Sequence, residues 1–456
     1  MPENTKNSRA VAASILTACD VEKQNVSDFI TAAGSVNRAA VTDYVCGVLR
    51  NRVLIDAVLE KIAAVRQNRV EKPVFNAIRI AVYEMIYTPL TPMYAIINEA
   101  VSQFSSKHKR GFINAVLRSV QRGIELREDA NYTENEYFVP VNHSSGCKFA
   151  KKVVPDPTKN PVLYLSCAFS MPQWLLEQWS KHYGSQALRQ ICLASNRIAS
   201  IHIRPNITLT TAEALHKLFT DAGVDCGLCP NDMLVINSLG RIDNISSLPG
   251  FGEGLFCVQD PTAAKVARFI NPRPGDVVLD LCAAPGTKTT HIAELMGQTG
   301  KVIATDINSS RLQLVRDNVR RLKLTNVEVV EYEDVIAYAA RENKIDSMLI
   351  DAPCSNTGVL SKRIEARYRI TAAGINELTK IQLEILTHFA NNIKPCKQVF
   401  YSTCSIEPKE NTQVLHSFLK KFLDYRKTDD ILTLPEYVNA GCDGGYVAKI
   451  LNNYCN

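Results

Sequence analysis

The segment VVLDLCAAPGTKTTHIAELMG, residues 277–297, decides how the rest of the chain is read. A short apolar run gives way to a turn of small residues and then to apolar positions at helical spacing, the passage from a buried strand into a helix. Gly286 lets the backbone approach a ligand closely, and the amides that open the helix can hold a carboxylate or another polar group. The turn is neither GxGxxG nor GxxxxGK[ST], so a dinucleotide pyrophosphate and an ATP triphosphate are both poor fits.

Working outward, the chain beyond Pro274 repeats the passage. Strand-like runs KVIATD (301–306), VEVVEY (327–332), SMLID (347–351), QVFYST (398–403) and GYVAKIL (445–451) alternate with amphipathic stretches such as SSRLQLVRDNVRRLK and LTKIQLEILTHFANNI. That alternation predicts a doubly wound α/β sheet covered on both faces. In such folds ligands bind beyond the carboxyl ends of the strands, near the switch in strand order. Those ends carry polar groups here. Asp306 ends the second strand and can accept both ribose hydroxyls of a nucleoside cofactor; Asp334 follows the third. Asp351 ends the fourth strand, with Cys354 just beyond it in DAPCSNTGVL (351–360), and Cys404 follows the fifth in YSTCS (401–405). Both thiols should face one crevice with Gly286, Asp306 and Lys288, where a nearby cation and helix N-termini favour thiolate.

Upstream, apolar residues recur every three or four positions from Ser8 to Arg122, which predicts an all-α domain of about six helices over residues 1–126. Pro73 suits a helix first turn, and Pro89 and Pro92 interrupt the pattern. Periodicity fails in the Asn- and Pro-containing stretch that follows, and residues 127–161 read as a linker. Residues 162–256 read as a small mixed α+β domain: two helices in PQWLLEQWSKHYGSQALRQICLAS, then short strands around TAEALHKLFTDAG. Residues 257–456 read as the α/β domain.

Composition bounds the setting. A chain of 456 residues exceeds what one core of ~250 to 300 residues accommodates. With 46% hydrophobic and 21% charged residues, and no apolar run near the ~18 needed to cross a bilayer, it reads as soluble, with no membrane. The start, MPENTKNSRA, has neither a secretory apolar core nor transit-peptide character, so a cytoplasmic protein is expected. Fourteen cysteines in a reducing compartment then suggest packing or catalysis rather than disulfides. The lone CxxC, Cys226 and Cys229, lacks a partner pair, and no metal is expected. Residues 1–124 hold 16 Lys and Arg against 10 Asp and Glu, which accounts for the whole net charge of +6. A polyanion such as RNA is a fitting partner; a solvated basic face explains the charge equally well.

LDLCAAPGTKTTHIAELMG, DAPCSNTGVL and YSTCSIEPKENTQVL resemble the cofactor turn, Pro-Cys motif and Thr-Cys motif of the RsmB/NOP class of RNA cytosine-5 methyltransferases. GFGEGLFCVQDPTA and RPNITLTTAEAL are similar to the rest of that core. DYVCGVLRNRVLIDAVL and KRGFINAVLRSV are similar to the NusB-like domain of the branch acting on bacterial 16S ribosomal RNA. The resemblance implies a Rossmann-like, S-adenosylmethionine-dependent methyltransferase domain, preceded by a NusB-like all-α domain and a small mixed α+β domain. It implies a cytidine of small-subunit ribosomal RNA as substrate; a monomer is expected. Cys404 would add to carbon 6 of cytosine, because carbon 5 is too poor a nucleophile until an enamine is formed, and Cys354 would assist release. Asp351 would hydrogen-bond the base edge, with Lys288 near the base and the methionine carboxylate. Cys282, Ala283, Ala284, Pro285, Gly286, Thr287 and Lys288 would hold the cofactor, with Asp306 on its ribose, Asp334 near its adenine amino group and Asp351 alongside.

Three positions depart from the family pattern. Thr287 replaces a glycine, and a β-branched residue would be strained there if φ were positive, although threonine can also cap a helix. SKRIEARYRIT (361–371) replaces an aromatic segment and stays basic through Lys362, Arg363, Arg367 and Arg369, so RNA docking there is expected to differ in detail. Gly444-Gly445-Tyr446 lacks a phenylalanine, read as neutral repacking. Two other functions stay open: a methyltransferase with a non-RNA substrate, which would not need both thiols, and a non-enzymatic RNA-binding factor, which would not need intact motifs.

Overall fold

The computed structural model describes residues 7–34, 37–240, 242, 244–297, 299–342, 344–393, 396–438 and 441–453. The chain divides into two compact units. One comprises Met1–Arg197 with Leu360–Arg369, the other Ile198–Val359 with Ile370–Asn456.

The first unit opens with α1 (Ser8–Ala18), α2 (Val26–Ala32), α3 (Arg38–Arg50), α4 (Arg52–Ala63), α5 (Lys72–Tyr87), α6 (Met93–Ser102) and α7 (Lys107–Gly123), seven helices among the described residues where about six are expected. Helix α5 carries Pro73 in its first turn and is buried from Val74 to Ile86, so it is the centre around which α1, α3, α6 and α7 pack. Pro89 and Pro92 do fall in the break before α6.

The predicted linker is folded. Strands β1 (Ile124–Asp129), β2 (Phe138–Pro140) and β3 (Gly146–Phe149) form an antiparallel sheet in the order β1-β3-β2. Arg127 fastens it to the bundle: its guanidinium donates to the carbonyls of Glu84, Met85, Thr88, Pro89 and Thr91, at the C-terminal end of α5 and in the loop beyond. Next come α8 (Pro161–Ala168), which the sequence reading placed at a domain edge, α9 (Gln173–Trp179) and α10 (Ser185–Asn196). These helices fall in the first compact unit and the strands that follow in the second, so the boundary between the units passes within residues 162–256.

The second unit begins with β4 (Ile201–Pro205), α11 (Ala212–Asp221), β5 (Asp225–Cys229), β6 (Met233–Ser238) and β7 (Phe256–Val258), a four-stranded sheet in the order β5-β6-β4-β7. Cys226 and Cys229 lie on its edge strand β5. Then follow α12 (Pro261–Ile270), β8 (Val277–Asp280), α13 (Thr287–Leu295), β9 (Lys301–Ala304), α14 (Ser309–Arg321), β10 (Val327–Val329), α15 (Val335–Ala339) and β11 (Ser347–Asp351). After β11 the segment 360–369, with the single-turn α16 (Ala366–Arg369), counts with the first unit. The second unit resumes with α17 (Ala372–Asn392), β12 (Gln398–Thr403), α18 (Thr412–Lys421), β13 (Tyr425–Thr433) and β14 (Gly445–Asn452).

Its seven-stranded sheet has the order β10-β9-β8-β11-β12-β14-β13. The first five strands are parallel, and β14 and β13 are antiparallel additions. Alternate residues feed two cores. Met348, Ile350, Val399 and Tyr401 pack with Leu386, Phe389 and Phe418 on one face, while Leu349 and Phe400 pack with Ile270, Ile292 and Met296 on the other. Burial on both faces explains why these strands are continuously apolar. The chain runs outward from β8 through β9 to β10 and returns to the other side of β8 at β11. The gap between β8 and β11 is therefore the switch point.

The basic segment 361–371 also departs from expectation. Arg367 is buried and donates to the carbonyls of Arg50, Phe169 and Ser195 and to the Asn196 side chain, and Arg369 donates to the carbonyls of Val21 and Gln24. These two arginines close carbonyl ends within the first unit; only Lys362 and Arg363 of the four cations are exposed.

Candidate active site

Strand β8 leads into the small-residue turn at the switch point. Gly286, at φ +100°, occupies the N-cap of α13, and a Cβ there would lie 3.2 Å from Val315 Cα on α14, so the helix backs directly on the turn. Helix α14 grips the same turn, with Arg311 donating to Ala284 O at 2.9 Å and Asn318 to Pro285 O at 3.0 Å. The left-handed position is thus Gly286, and Thr287 is the first residue of α13, neither strained nor the cap. Asp306, 5% exposed, follows β9 and accepts from the amides of Ala284 (3.1 Å) and Asn308 (3.0 Å). Each oxygen keeps a second lone pair. Asp334 lies exposed beyond β10.

Lys288, in the first turn of α13, reaches across the switch to Asp351 at the end of β11, with Nζ 2.6 Å from Oδ2. Burial opposes the lysine charge, but the Asp351 carboxylate outweighs it and raises the ammonium above its ordinary value. Behind them Asp280, 1% exposed, accepts from Thr289 Oγ1 at 2.7 Å, and burial pushes its carboxyl up to about 7. Burial also pushes the Cys282 thiol up, so this cysteine is a wall of the turn and not a thiolate.

The two remaining thiols meet. Cys354 and Cys404 lie beyond the adjacent strands β11 and β12, with their sulfurs 3.2 Å apart, and Cys404 Sγ also donates to Asn356 Oδ1 at 3.2 Å. The hydrogen bond to Cys404, with burial, raises the Cys354 thiol well above its ordinary value. Beside Cys404 opens a cleft whose walls include Asp260, Thr262, Lys265, Lys288 and Val359.

The expected residues Lys288, Asp351, Cys354 and Cys404 therefore share one end of the sheet with the 282–288 turn and Asp306. Sequence reasoning overlooked what holds the thiol loops. Asn356, at φ +61°, donates to Cys354 O at 3.0 Å. Gly358 N donates to Cys404 O at 3.0 Å, and Gly358 O accepts from Gly444 N at 2.7 Å. Ser355, Thr357, Ser405, Gln382 and Glu410 form a buried polar cluster beneath. The SNTG run after Cys354, polar and turn-like behind a buried strand, was the available signal.

The sheet, parallel over five strands, with a small-residue turn at its switch point and acids at the neighbouring strand ends, has the Rossmann-like form that binds ligands beyond the strand ends. The family model described as 16S rRNA methyltransferase RsmB/F matches residues 267–448, and the chain is 30% identical over 404 residues to the probable ribosomal RNA small subunit methyltransferase B of Bacillus subtilis (strain 168), covering 85% of this chain and 81% of that one. The chain belongs to the 16S rRNA methyltransferase RsmB/F family. The NusB family matches residues 6–122, and the RsmF/B-like ferredoxin-like domain matches residues 171–242. Ribosomal RNA small subunit methyltransferase B of Klebsiella pneumoniae subsp. pneumoniae is 29% identical over 427 residues, 92% of this chain and 90% of that one. Among solved structures, PH0851 matches with a TM-score of 0.71 at 22% identity, covering 98% of this chain and 99% of that one. NSun6 from Pyrococcus horikoshii, solved with SFG, matches with 0.53 at 19% identity, covering 62% and 98%. At these identities the structures are alike in fold.

Proposed function

We propose that this chain transfers a methyl group from S-adenosylmethionine to carbon 5 of a cytidine in small-subunit ribosomal RNA, through a covalent bond between Cys404 and the base. The observation that carries the reading is the pair of thiols 3.2 Å apart at the ends of β11 and β12, beside the Lys288–Asp351 pair. A methyltransferase acting on a more nucleophilic atom needs neither thiol. The similar proteins of Bacillus subtilis and Klebsiella pneumoniae, ribosomal RNA small subunit methyltransferases B by name, support the substrate.

The residues present fit the cofactor by their chemistry. Asp306 keeps lone pairs for a ribose diol, Asp334 offers an acceptor to an adenine amine, and Lys288 offers a cation to a carboxylate. The turn of Cys282, Ala283, Ala284, Pro285, Gly286, Thr287 and Lys288 would hold it, with Asp351 alongside. When bound, S-adenosylmethionine supplies an electrophilic methyl group on a sulfonium.

Cys404 Sγ adds to carbon 6 of the cytosine as its own proton is lost, and ring nitrogen 3 gains a proton. Lys288 engages Oδ2 of Asp351, which leaves Oδ1 for the base edge, where a carboxylate favours the protonated ring. The adduct makes carbon 5 nucleophilic. Once carbon 5 carries the methyl group it loses its proton to solvent, the bond from carbon 6 to Cys404 breaks with the electron pair returning to sulfur, and ring nitrogen 3 gives back the proton it gained. Cys354 keeps its proton, as its raised pKa requires, and hydrogen-bonds the departing sulfur. The base must leave its stack to reach Cys404, so a loop or single-stranded cytidine is the substrate. In this reading residues 257–456 are catalytic, the helical residues 1–126 grip the RNA, and the chain acts as a cytoplasmic monomer.

A denaturing gel tests the chemistry. After incubation with small-subunit ribosomal RNA and S-adenosylmethionine, Cys354→Ala should retain a slow protein–RNA band that Cys404→Ala lacks. Consumption of cofactor on some other acceptor, with no band in any variant, would sink the two-thiol mechanism.

A further inference from the structure

The loops bearing the two thiols come from different strands, yet both are fastened to one buried carboxylate. Glu410, 0% exposed, lies between Cys404 and α18. Its Oε1 accepts from Ser355 N at 2.9 Å and from Gln382 Nε2 at 3.1 Å. Its Oε2 accepts from Ser355 Oγ and from Ser405 Oγ, both at 2.5 Å. Ser355 directly follows Cys354, and Ser405 directly follows Cys404. Gln382 donates in addition to Pro353 O at 2.8 Å, so the peptide after Cys354 is tied to Glu410 directly and the one before it through Gln382. Four donors on two oxygens fit an acceptor-only carboxylate. Neither Glu410 nor Gln382 has a role in the chemistry described above.

We propose that Glu410 is a positioning residue: by clamping Ser355 and Ser405, it sets the distance between Cys354 and Cys404. This rests on the two-thiol reading for its catalytic consequence, although the distance itself does not. The reach of Glu410 matters more than its charge. Shortening the side chain by one methylene leaves one loop unheld, whereas glutamine spans the same gap and the serine hydroxyls can turn to accept from its amide.

The test uses the full-length chain with Glu410→Asp, Glu410→Gln and Ser355→Ala, the last keeping the buried carboxylate in place. Sulfur proximity is read first, without RNA, by the rate at which diamide joins Cys354 to Cys404, followed by peptide mass mapping. In that step the two thiols give up two protons and two electrons to the diazene, which becomes a hydrazine, and one sulfur–sulfur bond forms. Methyl transfer to small-subunit ribosomal RNA is read second, as kcat and KM.

Glu410→Asp should slow cross-linking about tenfold or more and lower kcat by about 10²-fold, as a misplacement near 1 Å does, with both KM values within about twofold of wild type. Ser355→Ala should move both readouts in the same direction by less, and Glu410→Gln should recover much of what aspartate loses. Wild-type cross-linking and kcat in both Glu410→Asp and Ser355→Ala would overturn the proposal. If Glu410→Asp does not fold, unchanged values in Ser355→Ala overturn it alone. Fast wild-type cross-linking without RNA methylation would instead defeat the two-thiol reading and leave the clamp standing.

Discussion

Lys288 Nζ lies 2.6 Å from Asp351 Oδ2, which ties the first turn of α13 to the last residue of β11 across the switch point of the sheet. The pair places one cation and one carboxylate where the base and the cofactor would meet. Asp351→Asn keeps the shape, removes the charge and leaves Lys288 without its counter-ion. Methyl transfer should fall about 10²-fold or more while RNA affinity holds. Single-turnover kinetics beside a binding titration would check this; equal loss in both would make Asp351 a binding residue only.

Asp280 gives the fold a pH dependence. Its carboxyl titrates near about 7 in the folded chain, whereas an unfolded aspartate titrates near ~4. As pH rises through that window the unfolded chain releases the proton and the folded chain keeps it. Stability therefore falls with rising pH, by up to ~1.4 kcal/mol per unit, and levels off above about 7. Asp280→Asn removes this contribution, so its stability relative to wild type should improve between pH 5 and pH 8 by a few kcal/mol. Urea unfolding at both values is the measurement, and a constant difference would refute the assignment.

Gly358 is where the thiol loops touch through backbone. An added Cβ would lie 2.5 Å from Gly444 O and 2.8 Å from Cys404 O, atoms that cannot swing aside. Gly358→Ala should displace the Cys404 loop and lower turnover about 10²-fold. Gly252→Ala, where no atom lies within 4 Å of the added Cβ, is the matched control and should be silent. Normal turnover in Gly358→Ala would mean that the loop tolerates displacement.

RNA contact by the helical region is testable through Lys107 and Arg110, exposed at the start of α7. Reversing both to glutamate should weaken RNA binding and reduce the slope of log affinity against log salt by about two. Cofactor affinity should not change. Deleting residues 1–124 is a poorer test, because α8–α10 and residues 360–369 share their compact unit and would be stripped of packing.

The catalytic sheet was legible because its strands are apolar on both faces, as in SMLID, and because its turn residues fall at every carboxyl end. The same logic failed for β13: YRKTDDILT, an edge strand with a largely exposed pattern, carries no such signal. Strands β1–β3 were read as a linker because strands of three to six residues, interrupted by asparagine and proline, are too short for periodicity to register. Charge misled at Arg367, whose partners are carbonyls remote in sequence. Lys288, Asp351 and the thiols could be grouped from sequence because each sits at a strand end or in the turn. Glu410 was not, because what distinguishes it is four donors converging from three separate segments.

The return of residues 360–369 to the first unit bears on how the chain is made. Residues 198–359 must all be synthesised between Arg197 and the piece that completes that unit. At ~5 to 20 residues per second this takes roughly 10 to 30 s, during which the carbonyls of Arg50, Phe169 and Ser195 await Arg367. The helical unit, although encoded first, is finished only after most of the catalytic sheet has left the ribosome.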